Sequence, residues 1–184
     1  GFAGVATRGN YALDIESADG IKVRTPPFFP IPQTLQAMGY QTASIDWSEV
    51  FTSIQTGVVD GDAGNVIYWD FEYFGEVLDY YVRTKHIFVT GNLVANAQSM
   101  ESLTQEQQDL VRDSAVTLME EQFEAAKATD EKYVKLAVEG GVEYFEPSET
   151  DLRPMGEKGR AEVWPLMEAD IGSEIVDQMR AHAK

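Results

Sequence analysis

The residues best suited to chemistry lie in and beside the segment 45–69. Arg24 ends one predicted strand, Trp47 stands at the start of a predicted helix, and Gly64 and Asn65 fall in a later turn. In an open α/β sheet, ligands bind outside the carboxyl ends of the strands, so this order predicts one shared mouth. An arginine there can clamp a carboxylate with two hydrogen bonds, and a tryptophan suits the apolar body of an organic anion. The alternatives are a surface salt bridge for Arg24 and core packing for Trp47.

Two aspartates, Asp60 and Asp62, offer a different chemistry in the same turn. Residues 60–65 resemble the first half of a calcium loop, but Asn65 replaces its turn glycine and Phe71 replaces its final glutamate. A spacing of two residues on a strand places both carboxylates on one face, as a catalytic pair requires. A hydrolase using Asp60 and Asp62 is therefore the alternative function, although no other pattern supports hydrolysis. We expect Asp60 to bind local backbone groups instead.

Composition excludes several classes of function. The formal net charge is −17, from 31 acidic and 14 basic residues, which argues against nucleic acid and against an anionic membrane surface as partners. No apolar run is long enough to insert into a membrane. Cysteine is absent and only two histidines occur, so thiol catalysis, disulfides and histidine-rich metal sites are excluded. We expect no metal or cofactor, and we interpret His86 as structural.

Strands and helices alternate in the first half of the chain. This order predicts an α/β fold with a mainly parallel sheet covered by helices. The predicted strands are 21–25, 40–45, 58–60, 80–84, 87–95 and 142–145, and the predicted helices are 33–38, 46–56 and 66–78. Residues 156–182 are predicted to form one or two helices, with Pro165 as a kink or boundary.

A long helix is predicted after Thr104, where Thr104 and Gln107 have the spacing of a helix-start signal. No glycine or proline follows before residue 140, so the helix has about 35 residues and a length of about 52 Å. A compact domain of this size has a radius of gyration of about 16 Å, so a helix that bridges two lobes fits better than a core helix. The alternatives are two helices broken near 128–129, and a non-catalytic interaction domain built around the helix.

Four segments resemble the periplasmic solute-binding proteins of TRAP transporters, of the dicarboxylate-binding type. The central one is the most specific. They are Asp19-Gly20-Ile21-Lys22-Val23-Arg24; residues 45–50 followed by 55–61; residues 74–81 with His86; and the helix start Leu103-Thr104-Gln105-Glu106-Gln107-Gln108.

The resemblance implies a periplasmic receptor with a periplasmic-binding-protein-like, type II-like architecture and no enzymatic activity. Two α/β lobes would close over a small organic acid (a carboxylate, dicarboxylate or sugar acid) and deliver it to the membrane permease. Arg24 matches the arginine that pairs with the ligand carboxylate, and Trp47 matches an aromatic residue of the pocket. Gly64 falls where the family often has an asparagine, with Asn65 one residue later. Arg8 is the nearest match to a second, upstream arginine.

The resemblance also predicts how the chain is organised. Residues 1–14 would end the first lobe and cross over, and 15–86 would form the second lobe. Residues 87–139 would supply a hinge strand and the long helix, shared with a largely missing first lobe, and 140–184 would pack on the second lobe. We therefore expect a C-terminal fragment with an exposed apolar face, through which it could dimerise.

Overall fold

A mixed sheet organises the protein, which we describe from a computed structural model covering residues 1–183. Lys184, the last residue of the predicted C-terminal part, lies outside the described residues. The sheet has six strands in the order β3-β2-β4-β1-β5-β6. The strands are β1 (Val5–Thr7), β2 (Lys22–Thr25), β3 (Gln41–Ser44), β4 (Gly61–Asp62), β5 (Tyr80–Val82) and β6 (Glu143–Phe145).

Helices cover both faces of this sheet. The α-helices are α1 (Ile31–Ala37), α2 (Val50–Gln55), α3 (Ile67–Phe74), α4 (Ala97–Glu101), α5 (Gln105–Glu139), α6 (Glu149–Ile171) and α7 (Ser173–His182). Short 3-10 turns at Trp47–Glu49 and Gly75–Val77 flank α2 and α3. The predicted helical segment 156–182 forms two helices, but their boundary is Gly172 and not Pro165, and α6 begins earlier and continues through Pro154 and Pro165.

The sheet is less uniform in direction than the sequence predicts. Strands β3, β2 and β4 are parallel to one another, and β5 is parallel to β6. Between these groups, β1 runs antiparallel to both β4 and β5. The α/β class is confirmed, with one reversed strand at the centre of the sheet.

The predicted strand at 58–60 is wrong by three residues. The backbone N–H groups of Val58 and Val59 both donate to the carbonyl oxygen of Ser53, which holds these residues in the turn that ends α2. Strand pairing begins only at Gly61, opposite Thr7 on β1 and Val23 on β2. The predicted strand at 87–95 also does not form, since that segment has only a single bridge between Phe88 and Phe2.

Two buried clusters fill the two faces of the sheet, as alternation along a strand requires. On β1, Val5 belongs to a cluster with Leu35 of α1 and Met155 of α6. Its neighbour Ala6 belongs to the opposite cluster, which receives side chains from α2, α3 and the end of α5. The members of this second cluster include Val50, Ile54, Ile67, Phe74, Tyr81, Ala137 and Val142.

The long helix is confirmed as one continuous element of 35 residues, with no break near 128–129. Thr104 and Gln107 form a reciprocal capping box at its start. Only its C-terminal part joins the core, where Ala137 is fully buried. Its earlier turns expose large apolar side chains, which are Leu110, Val111, Val116, Leu118, Met119 and Phe123. No helix among residues 1–183 is both long and apolar enough to cross a membrane.

We expect Gly61→Ala to lower the free energy of unfolding by about 3 kcal/mol, because overpacking against unyielding atoms is costly. A Cβ at Gly61 would overlap the backbone of Ala6 and Thr7, which cannot move without breaking the β1–β4 pairing. Gly159→Ala in α6 is the matched control, since its Cβ would meet nothing within 4 Å. Chemical denaturation should show the control unchanged or slightly stabilised; equal stability of both variants would contradict this prediction.

Candidate functional site

The carboxyl ends of β2, β3 and β4, which we call the carboxyl edge, bring the main predicted residues together. Arg24 and Asp62 are opposite one another in the register of β2 and β4. The chain leaving β3 passes the same edge at Ile45 and Trp47, and the chain leaving β4 passes it at Asn65. The cavities of about 410 and 350 Å³ are lined by residues elsewhere in the protein.

Arg24 is buried at this edge and fixed by two hydrogen bonds. Its Nε donates to the backbone oxygen of Ile45 over 2.8 Å, and its Nη1 donates to Oδ1 of Asp62 over 3.0 Å. The side chains of Arg24 and Asp62 are only 7% and 0% exposed, so this is a buried ion pair and not a surface salt bridge. No group among residues 1–183 accepts a hydrogen bond from Nη2, which therefore keeps its N–H groups for another acceptor.

Asp62 is fully occupied by its neighbours. Its second oxygen, Oδ2, accepts the backbone N–H of Gly64 over 3.0 Å and the side-chain Nδ2 of Asn65 over 2.7 Å. Asp60 lies at the opposite end of β4, where Oδ2 accepts the backbone N–H of Lys22 over 2.7 Å. Both carboxylates have structural partners, and this arrangement gives no support to a hydrolytic pair.

An aromatic wall stands beside Arg24. The guanidinium carbon of Arg24 lies 5.7 Å from the centre of the Trp47 ring, within the range of a cation–π contact. Trp47 packs at 4.9 Å against Phe74 and edge-on at 5.4 Å against Tyr73. Trp69 stacks on Tyr73 at 5.5 Å, and both remain partly exposed. Trp47 thus has one side in the core and one side at the carboxyl edge.

Asp70 is a second buried carboxyl group near this edge, and sequence reasoning missed it. It is fully buried in α3, and neither of its oxygens has a hydrogen-bond partner among the described residues. Burial, with the charge of Asp62 nearby, raises the pKa of Asp70 well above its usual range and so favours the neutral form. The sequence signal that could have identified Asp70 is an acidic residue in the first turn of a helix otherwise rich in aromatic residues.

His86 is hydrogen-bonded to the turn that follows β4. Its Nδ1 lies 2.6 Å from Oγ1 of Thr84, and its Nε2 lies 3.1 Å from the backbone oxygen of Ala63. A carbonyl only accepts, so Nε2 carries the proton and Nδ1 accepts from the hydroxyl in the neutral ring. Burial lowers the pKa of His86 to about 4, partly opposed by the Ala63 carbonyl and Asp62. His86 is therefore uncharged at neutral pH and holds the segment between Asp62 and Asn65.

Comparison with known proteins identifies the family. The profile of the bacterial extracellular solute-binding proteins, family 7, matches residues 6–169. The chain belongs to this family. The predicted resemblance is confirmed. The ectoine-binding periplasmic protein TeaA of Halomonas elongata is 27% identical over 173 residues, 92% of this chain and 51% of its own length.

Solved structures of solute-binding proteins of TRAP transporters share the fold. A TRAP periplasmic solute-binding protein from a Sulfitobacter species, with bound β-D-galacturonate, superposes with a TM-score of 0.87 at 24% identity, covering 98% of this chain and 60% of that one. The Halomonas elongata ectoine-binding protein superposes with a TM-score of 0.86 at 26% identity, covering 97% and 59%. The chain spans about half the length of the curated relatives it matches.

The carboxyl edge of this family 7 chain gathers four of the five residues predicted from sequence, which are Arg24, Trp47, Gly64 and Asn65. Arg8 is not brought to this group. Its backbone N–H donates to the oxygen of Asp60 and its Nη1 donates to the oxygen of Gln55, at the opposite end of β4. Asn65 uses its amide N–H on Asp62 and leaves Oδ1 as an acceptor.

We expect Gly64→Ala to weaken the site. A Cβ at Gly64 would lie 2.8 Å from Cδ of Pro26 and 3.3 Å from Nη1 of Arg24, so the proline ring and the guanidinium would have to shift. Thermal and chemical denaturation should show a loss of about 1–3 kcal/mol in the free energy of unfolding. Gly91→Ala, whose Cβ meets nothing within 4 Å, is the control. A variant as stable as that control would show that the contact is unimportant.

We expect His86 to make folding stability fall as the pH drops from 6.5 to 4. The folded pKa of about 4 lies below the ordinary 6.5, so in this window the unfolded state binds the extra proton. The loss is about 3 kcal/mol in full. Asp70 acts in the opposite direction, because its raised pKa favours the folded state at low pH.

Comparing unfolding of the natural protein and His86→Gln at several pH values isolates the histidine, because Asp70 is present in both. The variant should have the flatter acid limb. Parallel curves between pH 4 and 6.5 would mean that His86 titrates alike in the folded and unfolded states.

Proposed function

We propose that this chain is the ligand-binding part of a TRAP-type solute receptor that captures a small organic acid through Arg24. The observation that carries the proposal is the fixed guanidinium at the carboxyl edge. Two of its nitrogens are held by Ile45 and Asp62, and its guanidinium carbon lies 5.7 Å from the centre of the Trp47 ring. A charged donor held rigidly before the ligand arrives loses little entropy on binding.

The relatives support the same class of ligand. The Sulfitobacter protein holds β-D-galacturonate, a Haemophilus influenzae protein holds L-gulonate, and TeaA is described as ectoine-binding. Each ligand is small and carries a carboxylate. We propose Arg24 as the carboxylate clamp, Trp47 as the wall for the ligand body, and Gly64 and Asn65 as the adjoining floor.

We further propose that capture works by closure of two lobes, with residues 15–86 in one of them. Residues 140–184 add to that lobe through the packing of α6 on α1. Residues 87–139 run toward a second lobe, which would cover the exposed apolar turns of α5. A closing lobe would complete the enclosure of a ligand held at the carboxyl edge. In the periplasm, the closed receptor would then deliver the acid to the permease subunits in the membrane.

We expect Arg24→Ala, made in the full gene product, to weaken acid binding roughly 100-fold, because a charge-assisted hydrogen bond contributes about 1.5–3 kcal/mol. Isothermal titration calorimetry with D-galacturonate, L-gulonate and ectoine is the measurement. Arg180→Ala is the matched control, since it removes an arginine in α7 that pairs only with Asp177 and Glu168 among the described residues.

Arg24→Lys is a second variant that separates loss of binding from loss of folding. It keeps the positive charge facing Asp62 but loses the planar fork, so it should melt close to the natural protein and still bind at least about tenfold more weakly. Unchanged affinity in both Arg24 variants would remove Arg24 from the binding site.

A further inference from the structure

Resting on the proposed function, we infer that Asp70 keeps a proton at neutral pH, which it shares with Asp62, and that loss of this proton weakens the capture of an organic acid by Arg24. Asp70 is fully buried, so it acts through its neighbours as a positioning residue. Three observations support this inference, namely the place of Asp70 on α3, the residues that face α3 from the sheet, and the distribution of hydrogen-bond donors.

Asp70 lies in the middle of the core-facing stripe of α3. The buried residues of this helix are Ile67, Asp70 and Phe74, with the three- and four-residue spacing of an apolar stripe. Ile67 and Phe74 belong to the apolar cluster on that face of the sheet. The start of a helix favours an anion, but no donor among residues 1–183 forms a hydrogen bond with either oxygen of Asp70. An ionised carboxylate here would be buried without a donor, and taking up a proton avoids that cost.

A row of paired residues crosses the face of the sheet that α3 covers. Arg24 is opposite Asp62 on one side of β4. On its other side, Asp62 is opposite Ala6, which is itself opposite Tyr81 on β5. Paired residues point to the same face of a sheet, and Ala6 is the smallest residue of the row, so it leaves room for a side chain from α3. Asp70 acts electrostatically on both Asp62 and Tyr81, which places its carboxyl group against this row and next to the buried ion pair.

Hydrogen-bond donors are unequally divided between the two buried carboxyl groups. Asp62 accepts from Arg24, Gly64 and Asn65, whereas Asp70 has no donor among the described residues. Because donors stabilise the ionised form, the negative charge stays on Asp62 and the shared proton on Asp70. A carboxylate oxygen can accept more than one hydrogen bond, so a protonated Asp70 can donate to Asp62.

The neighbouring groups favour the same protonation state. Burial, followed by the charge of Asp62 and a side-chain hydrogen bond with it, raises the pKa of Asp70. The side chain of Asn65 and the charge of Arg24 oppose these effects only in part. On β5, Tyr81 is uncharged at neutral pH, because burial and the charge of Asp70 raise its pKa. The neutral form of Asp70 is therefore the one that fits its surroundings.

The other titratable groups of the elements around α3 have partners of their own. On α5, Asp130 pairs with Arg83 over 2.9 Å, and the hydroxyl of Tyr133 donates to Glu72 over 3.1 Å. His86 is uncharged, and both of its ring nitrogens have partners. A new negative charge in the buried cluster would gain no counter-ion from these groups.

Ionisation of Asp70 would change what Arg24 offers to an anion. A second buried negative charge would compete with the ligand for the guanidinium and would repel the incoming carboxylate. The two protonation states share every other group of the binding site, so they differ only in this charge. By linkage, a bound anion strengthens the hold of Asp70 on its proton, so binding takes up protons and weakens as the pH rises.

Calorimetry on the full gene product with D-galacturonate and L-gulonate measures this effect. Between about pH 6 and about pH 9 these acids stay ionised, and ordinary lysine and tyrosine side chains stay protonated. Over this range we expect the affinity of the natural protein to fall about tenfold more than that of Asp70→Asn, because one pKa unit between the free and bound protein is a tenfold change in affinity. Buffers of different ionisation enthalpy should show more proton uptake by the natural protein than by the variant.

Infrared spectroscopy at neutral pH detects the proton directly, because a neutral carboxyl group absorbs separately from a carboxylate. The natural protein should show the band of a neutral carboxyl group, and Asp70→Asn should lack it. Asp79→Asn is the matched control, since Asp79 is exposed and accepts the backbone N–H of Gly9 over 2.8 Å, away from the carboxyl edge. It should keep both the band and the pH profile of the natural protein.

The outcomes separate this inference from the proposed function. Parallel affinity profiles of the natural protein and Asp70→Asn, or a natural protein without the neutral-carboxyl band, overturn the inference and leave the receptor function standing. Absence of binding by both acids and by ectoine at every pH overturns the proposed function, and with it the effect on capture. If Asp70→Asn does not fold, judged by its melting curve, the natural protein decides: a missing band, or binding without proton uptake, overturns the inference.

Discussion

The buried ion pair between Arg24 and Asp62 is the interaction on which the rest of the carboxyl edge depends. Taking two charges out of water is costly unless their remaining hydrogen-bonding groups are satisfied. Here Ile45 accepts the hydrogen bond of the arginine Nε, and the turn at Gly64 and Asn65 satisfies the second oxygen of the aspartate. Each of the three parallel strands therefore contributes one partner, and the pair fixes how the chain leaves β3 and β4.

The short central strand explains why this pair can form. β4 has two residues, and it joins the parallel strand β2 to the antiparallel strand β1. Gly61 has no side chain and so allows β1 to approach closely. Asp62 is the last residue of β4 and lies opposite Arg24 in the register of β2 and β4. The same two positions thus take part in both the strand pairing and the buried ion pair at the carboxyl edge.

Covered and exposed apolar surface lie in different parts of the chain. The chain covers about 60% of the solved relatives it superposes on. Its sheet is well covered by α1, α3 and α6, whereas the middle of α5 and residues 88–94 expose large apolar side chains. Apolar surface of this extent usually has a partner.

The sequence by itself determined the elements whose signals are local. The capping pair Thr104 and Gln107, with no breaker before residue 140, was enough for a continuous α5, and the residue types at Arg24 and Trp47 were enough to suggest an anion site. Only the tertiary structure decided the start of β4, the reversal of β1, and the neutralisation of Arg24 by Asp62. The physical reason is sequence distance: Arg24 and Asp62 are 38 residues apart. Neither periodicity nor capping encodes which distant strands pair, or in what register, and that pairing sets the charge of the site.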